Sequence, residues 1–598
     1  MNTEQSIYEL LGRPCRNFNI LASTVIIDPL DGREKLVLSN FAAGQTGNLI
    51  LVDTVTGEGE SIPLPGDSGA WGLVNWNNKK LVVGTCPQHA YLHCLDLSSR
   101  TWAEPLSDPG EKYFWKMTLG SDGNVYGGTW PGCSLLRYDP VTHTLENMGR
   151  ASDNPKNQYS RPVDGSLPGY ILLAGGYDEP FLKAFHIESR TFRDFGTPGF
   201  VVREVTEEFI CTAKDGQLEF YDPRTFEQLP DDGLGEKLKT IETTLPNGKR
   251  HRAIELANGR FAGVRGQDIY LIDSLDETPK LMRIPVEAPA TGIHTLVSDA
   301  EGRLWGSCGF GQTIFRLDVE DRSEWNSSSV CDAGGEVYGM VFLEGKLFMS
   351  SYVGGDHIVY DPSKPWDQLN NANPKTLRSV SPEFVRPEGR SVLGPDGAIW
   401  TGWSANYGTY GGALSRIDPQ TLEVECWKSP IPNEQQVSGL AADSRYLYFT
   451  TNGGASGLPY KDVPCYFGVW EPGKGLVFEH RFESAERTGK AIVAFDAKVF
   501  VRAGADIRIF DPAALRFVDS IATGADCSWM VQVDSRTLAA FCGRKLLLID
   551  SGSAAVLREI ALPGHVGAAA ATPAGDLAFA VEEAVYRITA DIIEGIRS

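Results

Sequence analysis

One short pattern recurs along this chain: an apolar strand that ends in aspartate and runs straight into turn residues. Asp139 in LLRYDPVT is one copy. Asp53, Asp96 and Asp139 follow one another at intervals of 43 residues, and later intervals vary around that value. Further copies end at Asp222, Asp273, Asp318, Asp361, Asp418, Asp511 and Asp550, and degenerate copies carry His186, Glu471 and Thr589 at the same place. A repeat of this length with strands in every copy indicates one structural unit used many times.

Each repeat predicts four short strands joined by tight turns. The segment from Phe114 to Gly149 alternates short apolar runs with Ser-Asp-Gly, Pro-Gly and Asp-Pro-Val-Thr, which are typical turn sequences. Small residues recur where the second strand ends, as in VVGT, YGGT and WGSC. Small side chains there would let neighbouring sheets approach closely. One four-stranded sheet cannot bury both of its faces alone, so the repeats predict a ring of stacked sheets, a β-propeller.

The number of repeats exceeds what one ring holds. Thirteen markers are present, and propellers have about four to eight blades. The sequence therefore predicts an all-β fold of two tandem β-propellers, each with about seven four-stranded blades. We expect the first propeller within residues 1–290 and the second within residues 291–598, with the N-terminal segment helping to close the first ring.

Composition and charge limit the partners and the cellular location that the sequence predicts. The net charge is −22, with 77 acidic and 55 basic residues, and no basic cluster stands out, which disfavours nucleic acid as a partner. No apolar run approaches the roughly 20 residues of a membrane span. The N-terminus shows no apolar signal core, and the eleven cysteines are scattered as is usual for reduced thiols. These features favour a cytoplasmic protein; a chain trimmed of its leader would instead be secreted. The oligomeric state is left open.

Unusual residues gather in the connections expected at one face of the first ring. Loops on a rigid scaffold commonly carry function. The turn that follows Cys86 contains His89, and the strands nearest the axis would begin near Tyr159 and Arg161. A His/Tyr pair with cations and aromatic side chains suits an acidic sugar, because the sugar ring can stack on aromatic faces and arginine can pair with the carboxylate. The candidate substrate-binding residues are Lys116, Trp130, Tyr177, Arg203, His251, Trp403 and Tyr407.

The repeats resemble the blades of streptogramin-lyase-like proteins and of β-propeller polysaccharide lyases. The segments that carry the resemblance are DGNVYGGTWPGCSLLRYDPVT, DGAIWTGWSANYGTYGGALSRIDPQT and EGRLWGSCGFGQTIFRLDVED. The resemblance implies β-elimination, in which His or Tyr acts as base and acid while a cation neutralises the carboxylate. His89 and Tyr159 match the base and acid in residue type, and Arg161 matches the cation. The resemblance therefore makes these three the candidate catalytic residues. Two rings in one chain depart from the simple family pattern.

The functional hypothesis is a lyase that cleaves uronate-containing oligosaccharides or polysaccharides, with an acidic oligosaccharide as its partner. Arg161 would brace the carboxylate while His89 or Tyr159 removes the neighbouring proton. The second ring, with Trp403 and Tyr407, would extend the sugar-binding surface, although the roles of the two rings could be reversed. Two alternatives stay open: a glycoside hydrolase that uses paired carboxylates, and a non-catalytic propeller that binds glycans or proteins.

Cofactor signals are weak. The chain has no P-loop and no strand-linked G-x-G-x-x-G, which disfavours a nucleotide. Histidines such as His89 and His357 fall in different predicted rings and could not share one iron. A lactonase-like metal site would use Glu, Asp and Asn, of which Glu204 is the main candidate. We therefore predict no cofactor and no metal ligand, while an assisting divalent cation stays open.

Overall fold

The computed structural model describes residues 7–597 and is built almost wholly from antiparallel β-sheet. The chain divides into two compact units. The first unit spans Phe18–Glu287, and the second combines the N-terminal residues up to Asn17 with the residues from Ala288 onward. Each unit consists of consecutive sheets with the strand order of propeller blades. The predicted all-β, blade-built fold is confirmed.

The first unit contains, within the described residues, six sheets and one short hairpin. Its strands, sheet by sheet, are Ile20–Ile27, Glu34–Asn40, Asn48–Asp53 and Gly59–Pro63; Gly69–Trp76, Lys80–Cys86, Tyr91–Asp96, Thr101–Trp102 and Leu106–Ser107; Tyr113–Leu119, Val125–Trp130, Ser134–Asp139 and Thr144–Arg150; Ser160–Asp164, Tyr170–Gly175, Phe181–His186 and Thr191–Asp194; Val201–Val205, Ile210–Lys214, Gln217–Tyr221 and Gln228–Leu229; and Ile254–Glu255, Phe261–Arg265, Asp268–Ile272 and Met282–Arg283. The hairpin pairs Glu242–Thr244 with Arg250–Arg252 and follows a 3₁₀ turn at Leu234–Lys237.

The first and last sheets of this unit are joined by hydrogen bonds rather than by a shared strand. Gln267 Oε1 accepts a bond from the Phe18 backbone N–H at 2.7 Å, and Arg260 donates to the Thr54 carbonyl at 2.7 Å. Six sheets therefore stand where about seven were expected. The N-terminal segment, which was expected to complete this ring, lies in the other unit.

The second unit contains seven four-stranded sheets within the part of the chain that the structure describes. Its strands are Ile293–Ser298, Leu304–Cys308, Ile314–Leu317 and Glu324–Asn326; Val337–Leu343, Lys346–Ser351, Asp356–Tyr360 and Lys375–Thr376; Phe384–Leu393, Ile399–Ala405, Gly412–Ile417 and Val424–Lys428; Gln436–Ala442, Leu447–Asn452, Tyr466–Glu471 and Gly475–Arg481; Ile492–Phe495, Lys498–Ala503, Asp506–Asp511 and Arg516–Ala522; Cys527–Gln532, Thr537–Cys542, Lys545–Asp550 and Val556–Ala561; and Ala568–Ala571, Leu577–Val581, Ala584–Ile588 and Glu9–Gly12. A helix, Ala590–Arg597, follows.

The N-terminal strand closes the ring of the second unit. The first strands of its sheets contact one another in sequence, and that of the seventh sheet contacts that of the first. Glu9–Gly12 is the outer strand of the seventh sheet and pairs antiparallel with Ala584–Ile588. Arg587 donates to Glu9 at 2.7 Å across this pair, and Leu11 packs in the core beside Val585. The two ends of the chain thus share one sheet.

The recurring aspartate has a local structural role. Asp139 Oδ1 accepts backbone N–H bonds from Val141 at 2.8 Å and Thr142 at 3.1 Å. These bonds close the turn between the third and fourth strands and lower the pKa of Asp139. In the degenerate copy, His186 Nδ1 accepts the equivalent bond from the Ser189 N–H at 3.2 Å. The marker therefore specifies a turn, as its position in the repeat predicts.

Glycines let neighbouring sheets approach near the ring centre. A Cβ atom at Gly84 would collide with Phe114 and Met117 of the next sheet, and one at Gly128 would collide with the Ser160 carbonyl. These glycines lie on second strands, where the sequence repeats small residues. Larger side chains there would force the sheets apart.

The ring closure gives a stability prediction. Leu11→Ala should lower the free energy of unfolding by about 2–5 kcal/mol, because it removes a buried side chain from the closing strand. Leu10→Ala is the matched control: Leu10 is 45% exposed, so its loss should change stability by no more than about 0.5 kcal/mol. Urea denaturation followed by circular dichroism measures both, and equal losses would contradict this role for the strand.

Candidate functional site

The first unit encloses a cavity of about 1020 Å³ at its centre. First strands of five consecutive sheets contribute to its wall, together with Arg252 from the short hairpin. The lining residues are Leu21, Ala22, Ser23, Trp71, Leu73, Trp115, Lys116, Met117, Tyr159, Arg161, Val163, Ala174, Gly175, Gly176, Tyr177, Pro180, Phe181, Gly199, Phe200, Val201, Val202, Lys214 and Arg252. Four predicted site residues, Lys116, Tyr159, Arg161 and Tyr177, therefore share one cavity.

Strand geometry explains why these side chains face inward. Tyr159, Arg161 and Val163 alternate along one strand and its start, so all three point to the same face. In the third sheet the pairing register shifts between Phe114 and Lys116. Such a bulge re-aims side chains, and both Trp115 and Lys116 line the cavity.

The cavity is cationic. Lys116, Arg161, Lys214 and Arg252 line it, and among the described residues that form its wall none is Asp or Glu. The pKa of Lys116 is lowered, first by partial burial and then by the positive charges of Arg161 and Arg252, with Asp164 opposing them. The local charge is therefore opposite to the net charge of the chain.

Aromatic rings form a continuous part of the wall. The Trp115 ring centroid lies 5.1 Å from those of Trp71 and Tyr159, and Tyr159 lies 5.3 Å from Tyr177. Trp130 packs behind this wall, 6.2 Å from Tyr159, and does not line the cavity. Trp130 is therefore placed to support Tyr159 rather than to contact a ligand in the cavity.

Arg161 is fixed within this aromatic wall. Its guanidinium lies 4.9 Å from the Trp115 ring centroid and 5.6 Å from that of Tyr177, and it donates a hydrogen bond to the Tyr177 hydroxyl. Its Nε is buried and has no hydrogen-bond partner. The guanidinium is therefore pre-oriented by the aromatic side chains around it.

His89 does not join the cavity. Its side chain is exposed and stacks on Tyr91 at 4.7 Å, while its backbone N–H donates to Asp67 Oδ2 at 2.9 Å. The turn is thereby tied back to Asp67. The structure brings together only two of the three candidate catalytic residues, Tyr159 and Arg161.

Two further candidates of the first unit lie outside the cavity wall. Arg203 is exposed, and the register of its strand shifts between Val202 and Glu204, so Val201 and Val202 line the cavity instead. His251 interacts with the Tyr270 hydroxyl through Nδ1 at 3.0 Å. Its neighbour Arg252 takes the place in the wall.

The two predicted substrate-binding residues of the second unit, Trp403 and Tyr407, do not line the cavity of the first unit. Trp403 is fully buried, donates to Ser415 Oγ at 2.7 Å and packs edge-on against His357. It has no surface for a substrate and acts as a core residue. Tyr407 lies beside Tyr352 and accepts a 3.5 Å bond from Arg386.

The structure adds Trp115, Lys214 and Arg252 to the candidate site. Trp115 and Arg252 directly adjoin the predicted Lys116 and His251 in sequence. No sequence signal marked Lys214, which ends a second strand. Within residues 7–597, no cluster of three or more His, Cys, Asp or Glu side chains is arranged to hold a metal ion, and no helix there is long and apolar enough to span a membrane.

Comparisons with known proteins find only distant structural similarity. No family model and no curated protein matches the chain. Among solved structures, virginiamycin B lyase from Staphylococcus aureus aligns with 13% identity and a TM-score of 0.38, covering 50% of this chain and 94% of that one. The extracellular domain of a hybrid two component system from B. thetaiotaomicron aligns with 12% identity and a TM-score of 0.34, covering 90% and 83%. No residue role and no function is transferred from either structure to this chain.

The charge arrangement of the cavity gives a prediction for Lys116. Its lowered pKa should make it acylate faster at neutral pH than an ordinary lysine, because more of the amine is unprotonated. Arg161→Gln removes a neighbouring positive charge, so the pKa should rise and acylation should slow. Mass spectrometry of labelled peptides measures the rate, with exposed Lys79 as internal reference. Unchanged or faster labelling of Lys116 in the variant would argue against electrostatic coupling.

Proposed function

We propose that the first unit binds a uronate-containing oligosaccharide in its central cavity and cleaves it by β-elimination. The observation that carries this proposal is the combination of four cationic side chains, an aromatic wall and no lining carboxylate. Sugar rings stack on aromatic faces, and carboxylates pair with guanidinium groups. A volume of about 1020 Å³ also leaves room for more than one sugar residue, since small-molecule sites occupy about 300–1,000 Å³.

In this proposal Arg161 holds the uronate carboxylate. Its guanidinium is positioned by Trp115 and Tyr177. Lys116 adds a second positive charge near by. As the proton at C5 leaves, negative charge spreads into the carboxylate, and fixed cations stabilise that charge.

Tyr159 is the proposed base. It lines the cavity within the same aromatic wall as Arg161, whereas the Tyr177 hydroxyl accepts the hydrogen bond from Arg161. The tyrosinate oxygen takes the C5 proton, the C4–C5 double bond forms, and the C4–O bond breaks. The leaving oxygen then receives a proton from the tyrosine, so the enzyme group returns to its starting state.

The cavity is less suited to glycoside hydrolysis. That chemistry uses two carboxylates about 5–10 Å apart, and none of the described side chains that line this cavity is acidic. Binding without cleavage fits the same wall, and the experiment below distinguishes it from elimination.

The test follows the absorbance of the conjugated unsaturated uronate during incubation with a panel of uronate oligosaccharides. Tyr159→Phe should lower kcat by about 10²-fold or more, because it removes the proton-transfer group. Arg161→Gln should lower kcat/KM by about 10²–10³-fold, because it removes charge stabilisation. His89→Ala and Arg203→Gln are matched controls on exposed residues outside the cavity and should retain full activity.

Ligand binding, followed by tryptophan fluorescence on the same panel, separates the remaining outcomes. Binding that depends on Arg161 without any absorbance rise would replace the lyase with a glycan-binding function. The proposal is overturned if no oligosaccharide of the panel binds and none gives a rise in absorbance. Loss of activity in His89→Ala would place the chemistry outside the cavity.

A further inference from the structure

Three cationic side chains meet near the axis of the second unit, in an arrangement that the proposed function does not use. Arg386 and Arg390 lie on the first strand of its third sheet, and Lys490 lies two residues before the first strand of its fifth sheet. We call Arg386, Arg390 and Lys490 the axial cluster. Within the described residues, no Asp or Glu lies at salt-bridge distance from any of the three.

Aromatic rings hold the cations by their faces. The Arg386 guanidinium lies 3.9 Å from the Tyr352 ring centroid. The Trp529 ring contacts both of the other cations, with its centroid 5.2 Å from the Arg390 guanidinium and 4.9 Å from Lys490 Nζ. Contacts to aromatic faces stabilise a cation but leave its N–H groups available for an acceptor.

Several polar atoms of this region have no partner. The Nε atoms of Arg386 and Arg390 and the Nε2 atom of His294 are buried without a hydrogen bond. Existing bonds use only part of the donor capacity: Arg386 donates to the Tyr338 hydroxyl at 2.9 Å, and Lys490 donates to the Gly567 carbonyl at 3.3 Å. Buried donors without acceptors are rare in native proteins and therefore call for a physical explanation.

The surrounding acids do not neutralise the cluster fully. Burial raises the pKa of Glu336 to about 8, so this group is largely uncharged at neutral pH, and its Oε2 has no partner. Glu388 contributes one negative charge that acts on Arg386, Arg390 and Lys490. Burial and the charge of Arg390 lower the pKa of Lys490 to about 7. Positive charge therefore remains in excess and repels itself.

We propose that the axial cluster is a binding site for an oxyanion, a carboxylate or phosphate group of a small molecule. An oxyanion supplies several acceptors at once and suits the fork of an arginine guanidinium. It also balances the excess charge, which a neutral acceptor such as water does not. The site is independent of the function proposed for the first unit.

Isothermal titration calorimetry of the full chain tests this site. Inorganic phosphate and galacturonate serve as probes for the two oxyanion classes. The protein carries Lys116→Gln, Arg161→Gln, Lys214→Gln and Arg252→Gln, which removes all four cationic side chains that line the cavity of the first unit. In this background we expect one binding site for at least one probe. Adding Lys490→Gln should weaken it by about tenfold or more, because a charged hydrogen bond is lost.

Two further variants keep the result interpretable. Arg386→Lys retains the charge but removes the planar guanidinium, so we expect a comparable loss of affinity. This variant also tests the site if Lys490→Gln fails to fold. Lys545→Gln is the matched control, because it changes the net charge by the same amount as Lys490→Gln. Lys545 is an exposed lysine of the same unit that pairs with Glu559. The control variant should leave binding unchanged.

The identity of the bound probe names the oxyanion: phosphate alone indicates a phosphate ligand, and galacturonate alone indicates a carboxylate. Thermal unfolding without probe verifies that each variant is folded. The inference is overturned if neither probe binds the background protein. It is also overturned if binding survives unchanged in both folded axial variants.

Discussion

The mutual burial of sheet faces is the constraint on which the rest of this structure depends. The sheets have apolar faces that pack against neighbouring sheets. Leu81 and Val83 of the second sheet, for example, pack in one core with Val37 of the first. Because every sheet needs two neighbours, the second unit can be complete only when its ring closes. The strand Glu9–Gly12 meets that need, although nearly the whole chain separates it from its partner Ala584–Ile588.

This constraint also determines where functional side chains can stand. Sheet faces are occupied by packing, and the turns marked by Asp139 are occupied by backbone hydrogen bonds. First strands near the ring centre are the main positions left for groups that packing does not require. Arg161 in the first unit and Arg386 in the second both lie on such strands. Glycines such as Gly84 keep the sheets close enough for these side chains to converge.

The sequence predicts what is local and misses what is not. The turn aspartates and small second-strand residues repeat with the structural unit, so the blades could be predicted directly from the sequence. The partner of Glu9–Gly12 could not, because strand pairing across the chain leaves no local pattern. Trp115 could not be predicted as a lining residue, because the alternation of side chains along a strand does not predict a bulge. The bulge between Phe114 and Lys116 allows both Trp115 and Lys116 to line the cavity. His89 was misplaced because Asp67 ties its turn outside that cavity.

Under the proposed function, the positive cavity would attract an acidic ligand only over short distances. The chain carries a net charge of −22, which would repel an acidic sugar at long range. At physiological ionic strength, however, exposed charges are screened over about 8 Å. A ligand inside the first unit therefore experiences mainly Lys116, Arg161, Lys214 and Arg252, with no acidic side chain in the described wall to offset them. Under the proposed function, selectivity for an acidic sugar would depend on these lining residues rather than on the overall composition, and moderate salt would favour binding until it screens the cavity itself.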